Sequence, residues 1–389
     1  MAEARVPRRS LIAAALGLPL VASGCSDDER PKAKPSTPTP TTTTTTVPPK
    51  PKVTGKGLPA DLLGTMTALY LGGPVAAAAD QRKALAKRKL AKASLVVGGS
   101  TGTWKGTPIA VVTRGKDVTL LVRTSAKKWA VVGGWWPSLG VARVPRRTAR
   151  VLAIGSDARN HQRVEKCRAD ALQIIGVDNK GVGGIVGIPR DSYVSLSTGG
   201  TDKINAALVF GGAQGQVRTV ERATGVPIDG YVMAGFKGFR GMVAAVGGIA
   251  YASKSSLRSV DGYQILRAGS NRLNSKLALG LARERKHLAN GDFGRSANQG
   301  RLIRAGIATA RAQGPARLPK YLTAMSPHLS TDLSVVEVLN LAAAIYLSPA
   351  ATRTAVATGS VGMRGGQSVV LLGGAAGSLF RNIKDGRLA

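Results

Sequence analysis

The sequence predicts an α/β protein in which helices cover a sheet of buried strands, preceded by a smaller α+β region. After residue 150, short apolar runs typical of buried strands are followed by segments with helical apolar spacing. Before residue 150, β-rich runs are separated by glycine-rich or polar turns. With 389 residues and a 43% apolar fraction, the chain is long enough for about two domains with ordinary cores.

Residues 1–25 are interpreted as an export signal. An arginine-rich start precedes an apolar run at 11–21, which is short for a membrane-spanning helix and is interrupted by Pro19. The segment 22–25 resembles a lipobox, which predicts lipidation of Cys25. An uncleaved or otherwise cleaved signal stays the alternative, and the paired arginines at 8–9 also resemble a twin-arginine export signal.

Residues 26–57 are predicted to form an extended, solvated linker. They contain many prolines and an unbroken threonine run at 41–46. Such a composition has nothing to bury. The segment is typical of a spacer between a membrane anchor and a folded region.

The chain is strongly basic, with 55 Lys and Arg against 21 Asp and Glu and a formal net charge of +34. Its preferred partner is therefore polyanionic, which admits nucleic acid, an anionic membrane or an anionic wall polymer. The export signal and the spacer predict a location outside the cytoplasm, and the aromatic-basic interleaving of nucleic-acid binders does not occur in the sequence. We expect a lipid-anchored protein on the outer face of the cell membrane, with no nucleic-acid partner.

Residues 58–148 are predicted to form an α+β accessory domain. Helical spacing over 61–79 and 81–92 comes first. Strand-like runs follow at 95–97, 109–112, 118–122 and 129–132. The tryptophan pair at 135–136 is interpreted as part of a small core, and no chemistry is assigned to this region.

The main α/β domain is predicted over residues 149–325. Its buried strands are predicted at 151–154, 171–175 and 184–188, and its helices at 204–224, 235–246 and 273–281. Ser296 is predicted to cap a last helix that ends near Gln313. Residues 326–389 contain a helical segment at 333–347 and glycine-rich strand-like pieces, and they either complete this domain or extend it.

Polar clusters follow or precede these apolar runs, where ligands of open α/β sheets gather. They lie at 155–159, 168–170, 188–193, 201–205, 283–285 and 291–299. If Arg283 and Arg285 are extended, they point to one face, and two guanidinium groups on one face need an anion such as phosphate between them. Arg295 and Gln299 are four residues apart at a helix start, so they also share a face. The combined site suits a pyrophosphate.

Carboxylates lie in the same clusters: Asp157, Asp170, Asp191 and Asp292. We expect them to pair with arginines or to hold a hard cation such as Mg²⁺, which binds one or two carboxylates together with phosphate oxygens. The chemistry indicated is phosphoryl transfer, in which catalysis is mostly charge neutralisation and positioning. The alternative for any one of these residues is an ordinary surface ion pair.

These clusters, in this order, resemble the LytR-CpsA-Psr family over roughly residues 150–311. Gly-Ser-Asp-Ala-Arg at 155–159 looks like its Gly-Thr/Ser-Asp-x-Arg signature, and Arg-Ala-Asp at 168–170 like its Arg-Ser/Ala-Asp. Ile-Pro-Arg-Asp at 188–191 is similar to its most familiar tetrad. The segments 203–207, 231–248 and 291–295 complete the resemblance.

The resemblance implies a three-layer α/β/α domain with a central mixed sheet, in which a polyprenyl chain occupies an apolar tunnel with its pyrophosphate at the mouth. It implies that Asp157 and Asp170 hold Mg²⁺ and that Lys203 and Asp292 lie beside the pyrophosphate, where we expect Asp292 to assist deprotonation of an acceptor hydroxyl. The catalytic residues implied are Asp157, Asp170, Arg190 and Asp292. The pyrophosphate-binding residues implied are Arg168, Arg190, Lys203, Arg283, Arg285, Arg295 and Gln299.

Apolar residues on the amphipathic segments are interpreted as core residues or, for two or three of them, as walls of that tunnel. They are Val209, Phe210, Phe236, Phe239, Met242, Val243 and Val246.

The activity implied is transfer of a phosphoglycan from a polyprenyl-pyrophosphate carrier to a peptidoglycan hydroxyl, which releases polyprenyl phosphate. One alternative is a non-catalytic protein that binds polyprenyl phosphate or a wall polymer. A second alternative is a pyrophosphatase that uses water as the acceptor.

Overall fold

The computed structural model describes residues 50–141, 147–159, 161–347 and 352–388. The predicted export signal, with Cys25, and most of the predicted linker lie outside these residues. The linker prediction is wrong at its end, because Val53 is buried against the first helix and pairs with Leu95. The folded region therefore begins inside the predicted linker, and residues 50–389 form one unit.

The helices of the described residues fall into an early pair and a later group. In chain order they are α1 (Ala60–Leu71), α2 (Ala79–Leu85), α3 (Ala207–Thr224), α4 (Phe236–Ala245), α5 (Ser275–Arg283), α6 (Gly291–Ala312), α7 (Leu318–Met325), α8 (Val335–Leu347) and α9 (Gly374–Ile383). No helix among the described residues combines the length and the apolar character needed to cross a membrane.

The strands are mostly short. In chain order they are β1 (Val53–Thr54), β2 (Leu95–Val96), β3 (Gly98–Trp104), β4 (Thr107–Arg114), β5 (Asp117–Arg123), β6 (Trp129–Trp135), β7 (Ala149–Ser156), β8 (Ala169–Val177), β9 (Gly183–Ile188), β10 (Tyr193–Ser195), β11 (Thr201–Lys203), β12 (Gly230–Ala234), β13 (Ile249–Ser253), β14 (Leu257–Arg258), β15 (Gln264–Leu266), β16 (Gly269–Leu273), β17 (Ser330–Thr331), β18 (Arg353–Val356), β19 (Gly359–Arg364) and β20 (Gln367–Leu372).

The central sheet is mixed and has the strand order β17-β12-β7-β8-β9-β18. β7 runs parallel to β12 and antiparallel to β8, while β9 runs antiparallel to β8 and parallel to β18. The carboxyl ends of β7, β9 and β12 therefore meet the amino end of β8 at one edge of the sheet. This edge carries the polar clusters that the sequence places at the ends of the apolar runs.

Helices cover both faces of the central sheet, because alternate residues of its strands are apolar on each side. Leu152, Ile174 and Val186 point to the face covered by α3 and α9. The opposite face packs against α6, which contacts β8, β9 and β18. The predicted three-layer α/β/α arrangement with a mixed sheet is confirmed.

The region before the central sheet contains α1, α2 and the antiparallel sheet β3-β4-β5-β6. One face of this sheet packs against α1 and α2, and Trp136 is fully buried there. Its other face shares a core with α7, α8 and Val151 of the central sheet. The predicted domain division at residue 148 stays a prediction, because packing does not mark it.

Residues after 326 complete the central sheet. β17 and β18 form its two edges, and α9 packs on the face that already holds α3. Of the two alternatives for this tail, completion of the main domain is the one observed.

The first two helices are shorter than the sequence predicted. α1 stops at Leu71 rather than reaching residue 79, since Gly72 and Gly73 adopt positive φ and Pro74 follows. α2 ends at Leu85, well before residue 92.

Candidate active site

The edge of the central sheet brings the acidic clusters together through a β-bulge. Gly155 on β7 pairs with Ala171 on β8, but Ser156 pairs with Ala169, so Asp170 is the extra residue. A bulge of this kind redirects a side chain out of the regular ladder. Asp170 is thereby placed beside Asp157, which directly follows β7.

Backbone hydrogen bonds fix Asp157 against the chain that leads into β8. The Asp157 amide donates to the Arg168 carbonyl at 3.0 Å, and the Arg168 amide donates to Asp157 Oδ1 at 2.9 Å. Burial and the neighbouring Asp170 carboxylate raise the pKa of Asp157 above its ordinary value. The charges of Arg190 and Arg168 act in the opposite direction on this pKa, and the Arg168 side chain is exposed.

Arg190 lies between two acids, Asp170 in β8 and Asp191, which follows it in the chain. It follows β9 and makes an ion pair with Asp170 through Nη1. Its Nε lies 4.0 Å from Asp191 Oδ2. This Nε is buried and has no hydrogen-bond partner within the described residues. Asp191 also pairs with Lys203 Nζ at 3.2 Å. Asp170 and Asp191 are thus ion-paired with cationic side chains, and Lys203 lies in the cluster through Asp191.

Asp292 lies in the first turn of α6 and makes an ion pair with Arg295. Its Oδ2 is buried and has no hydrogen-bond partner in the described part of the chain. Burial raises the pKa of Asp292 even though Arg295 and Arg190 lower it. Asp292 is therefore a buried carboxyl group with one oxygen left free for a ligand or a proton.

The two neighbouring arginines at the end of α5 are not arranged as the sequence predicted. Arg283 is the last helical residue rather than part of a strand, because Asn274 caps α5 and Ala278 and Leu281 keep it packed to its end. The chain becomes extended only at Glu284. Both arginine side chains are exposed, and the Arg283 guanidinium lies 4.7 Å from the ring centroid of Phe236.

The helix that carries Arg295 and Gln299 starts earlier than predicted. α6 begins at Gly291 after Asn290, so Ser296 lies inside the helix and does not cap it. The partial positive charge of the helix start therefore falls on Asp292 rather than on Arg295. Arg295 and Gln299 do share one buried face.

Gln299 supports the site through hydrogen bonds to two backbone carbonyls. Its Nε2 donates to the Ala282 carbonyl at 3.0 Å and to the Asp170 carbonyl at 3.3 Å. It thereby links α5, the bulge in β8 and α6. A direct contact of Gln299 with pyrophosphate stays a prediction.

Gln173 is a site-supporting residue that the sequence reading missed. It is 1% exposed in β8, and its Nε2 donates to the Ser296 carbonyl at 3.0 Å and lies 3.5 Å from Gln299 Oε1. The available signal was a polar residue inside an otherwise apolar strand run. Cys167 forms no disulfide within the described residues. His287 is an exposed loop residue paired with Glu284 at 3.4 Å.

The apolar residues considered as core or tunnel walls divide in the structure. Val243 is 3% exposed in a core shared by α4, α5 and α6. Phe210 is 64% exposed and is not a core residue. A polyprenyl tunnel stays a prediction.

The donor set at Asp157 and Asp170 fits Mg²⁺ by its chemistry. Asp157 and Asp170 offer hard oxygen ligands, and burial together with the neighbouring Asp170 charge raises the pKa of Asp157. Groups of three or more potential metal ligands are not found among the described residues. A pair of carboxylates leaves coordination positions for phosphate and water, which is how Mg²⁺ usually binds.

This protein is of the three-layer α/β/α class, and arginines and carboxylates gather at one edge of its mixed central sheet. The model of the LytR-CpsA-Psr family matches residues 140–366, more than half of the chain. The chain therefore belongs to the LytR-CpsA-Psr family, and the resemblance noted in the sequence is confirmed.

Curated relatives carry transferase names. The chain is 41% identical over 155 residues to the polyisoprenyl-teichoic acid–peptidoglycan teichoic acid transferase TagU of Bacillus subtilis, covering 39% of this chain and 49% of that protein. It is 33% identical over 195 residues to the protein of the same name from Enterococcus faecalis, covering 49% of this chain and 64% of that protein. The chain thus spans about half to two thirds of the length of these relatives.

Solved structures share the fold. The crystal structure of Bacillus subtilis TagV has a TM-score of 0.53 and 27% identity, covering 62% of this chain and 99% of that chain. A structure of TagT bound to LI-WTA has a TM-score of 0.51 and 23% identity, covering 62% and 91%.

Proposed function

We propose that this protein is a Mg²⁺-dependent phosphotransferase that moves a phosphoglycan from a polyprenyl-pyrophosphate carrier to a peptidoglycan hydroxyl. The observation that carries the proposal is the connected cluster at the edge of the central sheet. In it, Arg190 bridges Asp170 and Asp191, while Asp292 pairs with Arg295 and keeps a buried oxygen that has no hydrogen-bond partner in the described part of the chain. The names of the relatives support the same reaction class.

The reaction requires one bond to form and one to break. The acceptor hydroxyl oxygen attacks the phosphorus that carries the glycan, and the bond from that phosphorus to the oxygen of polyprenyl phosphate breaks. Asp292 takes the hydroxyl proton, since its buried Oδ2 has no hydrogen-bond partner among the described residues. Polyprenyl phosphate leaves with the electron pair of the broken bond.

The cationic residues neutralise the pyrophosphate and hold it in line. Arg168, Arg283 and Arg285 present exposed guanidinium groups without ion pairs among the described residues. Arg190 and Arg295 are held by carboxylates, which fixes their orientation before substrate arrives. Lys203 adds a further cation, which is held in place by its ion pair with Asp191.

Asp157 and Asp170 would hold the metal ion. Bound Mg²⁺ would neutralise charge on the pyrophosphate oxygens. The chain itself prepares this pair by the bulge at Asp170 and by the Arg168 amide, which orients Asp157.

The proposed location is the outer face of the cell membrane, with Cys25 as the lipid-modified residue. The basic start, the apolar run and the lipobox-like segment in the sequence support it. The proline- and threonine-rich segment would let the folded region reach the wall.

One assay separates transfer from its alternatives. Purified full-length protein is incubated with a polyprenyl-pyrophosphate glycan, Mg²⁺ and a peptidoglycan fragment. Glycan joined to the fragment supports the proposal, whereas free phosphorylated glycan indicates a pyrophosphatase and unchanged bound donor indicates a binding protein.

Arg190→Ala tests the site itself. We expect the variant to lose transfer while keeping its circular dichroism spectrum. Arg123→Ala is the matched control, because Arg123 is also ion-paired, with Asp61 at 2.9 Å, but lies on the β3–β6 sheet. Wild-type transfer by Arg190→Ala would overturn the site assignment.

A further inference from the structure

The β19–β20 hairpin carries two exposed apolar side chains next to its turn. Gly365 and Gly366 adopt positive φ, as a tight two-residue turn between paired strands requires. Val361 is 67% exposed and Met363 is 59% exposed, and both lie on one face because strand side chains alternate. Single apolar residues on a surface are common, whereas two on one face of a hairpin favour a contact with a partner.

The base of the hairpin is joined to the candidate active site. The Val370 amide donates to the Asp191 carbonyl at 2.9 Å, and Val370 lies opposite Ser192 in a parallel bridge. Val361 lies opposite Val370 within the hairpin. Two strand spacings, roughly 10 Å, therefore separate the backbones of Val361 and Ser192. The exposed apolar face thus begins beside a charged residue of the site.

The hairpin is held at its base and open at its turn. Val369 is 2% exposed and Val370 is 4% exposed, whereas all residues from 363 to 368 are exposed. An isolated two-stranded hairpin is marginally stable in water, so burial of its base keeps it in place. The far half is therefore accessible to a partner, while the near half fixes its position relative to the site.

The charge of this segment suits an anionic surface. Residues 352–372 contain two arginines and no aspartate or glutamate. Of these arginines, Arg364 donates from Nη1 to the Met363 carbonyl at 2.9 Å and makes no ion pair with a described residue. Segments that lie in a membrane interface combine apolar side chains, which enter the acyl boundary, with cations that meet anionic headgroups.

The depth of the donor pyrophosphate favours a bilayer over other partners. In the transfer reaction proposed above, the carrier is a membrane lipid, so its pyrophosphate reaches the site from the headgroup layer. Interfacial side chains enter a bilayer by about 5–10 Å. This depth matches the roughly 10 Å between Val361 and the site backbone. With the hairpin in the acyl boundary, the arginines of the site lie at headgroup depth.

We propose that the β19–β20 hairpin is a membrane-contact element, which inserts Val361 and Met363 into the bilayer surface and holds the site at the level of the lipid headgroups. Arg364 contacts anionic headgroups beside the inserted side chains. The choice of a bilayer rests on the lipid-linked donor of the proposed function, but the contact itself is measured without any transfer.

A fluorescent label on the hairpin measures the contact directly. Met363→Cys is made in the full-length Cys25→Ser/Cys167→Ser protein, which leaves a single thiol for an environment-sensitive nitrobenzoxadiazole dye. The net charge of +34 brings the protein to vesicles of phosphatidylglycerol and phosphatidylcholine. We expect a blue shift of the dye, and quenching when the phosphatidylcholine carries brominated acyl chains. Leu90→Cys is the matched control, because Leu90 is also an exposed apolar residue, and it should show neither effect.

Each other outcome of the labelling experiment is decisive. A dye at position 363 that is neither shifted nor quenched would overturn the proposal. Equal quenching at positions 363 and 90 would also overturn it, because the protein would then adsorb without a preferred face. A shift that grows with protein concentration in the absence of vesicles would assign the face to a second copy of the chain. If position 363 alone is quenched but no donor is transferred, the transfer reaction fails and the membrane contact stands.

The contact should affect activity only when the donor is in a bilayer. Val361→Thr/Met363→Gln keeps side-chain size and removes apolar surface. We expect kcat/KM for a donor in vesicles to fall by about tenfold, because two apolar side chains lose part of their burial in lipid. The value for a short-chain, water-soluble donor stays unchanged. Val96→Thr/Leu90→Gln removes similar surface from the region before the central sheet and should affect neither donor. An equal fall for both donors in the hairpin variant, or no fall for either, would overturn the proposal.

Discussion

The Gln173 side chain on β8 donates a hydrogen bond to the Ser296 carbonyl on α6 at 3.0 Å, inside the layer between sheet and helix. The contact is possible because Gly187 and Gly300 leave room for the amide; a Cβ at Gly187 would lie 2.9 Å from Gln173 Nε2. The bond joins the strand that carries Asp170 to the helix that carries Asp292, Arg295 and Gln299. It therefore sets the spacing between the two halves of the site.

Replacing Gln173 by Leu should lower both the free energy of unfolding and the kcat/KM of transfer. The variant keeps the approximate volume but loses the hydrogen bonds that position α6, which should cost about 1–3 kcal/mol of unfolding free energy. We expect kcat/KM to fall because Arg295 and Gln299 move relative to Asp170. Urea unfolding and donor kinetics on the same samples measure both effects. Wild-type kinetics in a destabilised variant would show that Gln173 only supports the fold.

The pH profile of transfer should show an acid limb set by Asp292. Burial raises its pKa, and only the unprotonated carboxylate accepts the hydroxyl proton. Activity is thus present above this raised pKa and is lost as pH falls through it, at a higher pH than an ordinary carboxyl of about 4 would give. Asp292→Asn should lower kcat by roughly 10²- to 10⁴-fold. A variant with near-normal kcat and an unchanged acid limb would remove Asp292 from this role.

Asp157→Asn should weaken Mg²⁺ binding. Loss of one of the two carboxylates should raise the Kd for Mg²⁺ by at least about tenfold, since even outer-shell partners of metal ligands have effects of that size. Calorimetry reads binding directly, and Mg²⁺ titration of transfer reads its consequence. Asp261→Asn is the control, because Asp261 is exposed in a turn before β15. Identical Mg²⁺ affinity in both variants would argue against a metal at Asp157.

Leu120→Ala should test whether the β3–β6 sheet unfolds with the rest. Leu120 is 1% exposed in the core that this sheet shares with α7 and α8. We expect the free energy of unfolding to fall by about 2–5 kcal/mol. We also expect a single unfolding transition that coincides with the loss of activity. Two separate transitions in calorimetry would support an independent accessory domain.

Cys25→Ser should abolish lipid modification. The expected result is loss of labelled palmitate incorporation and release of the protein from the membrane fraction. Cys167→Ser is the matched control, since Cys167 is the other cysteine of the chain. Palmitate labelling that persists in Cys25→Ser would show that the anchor is elsewhere or absent.

The sequence by itself determined the positions of the main strands along the chain, the residue types of the candidate site and the family. Apolar runs at 151–154 and 184–188 became β7 and β9 because strands buried on both faces need continuous apolar residues. The clusters after them came together because strand directions place those ends at one edge of the sheet.

Only the tertiary structure decided which of these residues contact each other and which stay unpaired among the described residues. The bulge at Asp170, the helical end of α5 at Arg283 and the early start of α6 at Gly291 are features of the folded chain that the apolar spacing of the sequence did not indicate. The same holds for Gln173, whose hydrogen bond to Ser296 joins β8 to α6 across 123 positions of the sequence. Local patterns record which side chains are polar, but contacts between remote segments fix which of them stay unpaired and available to a substrate.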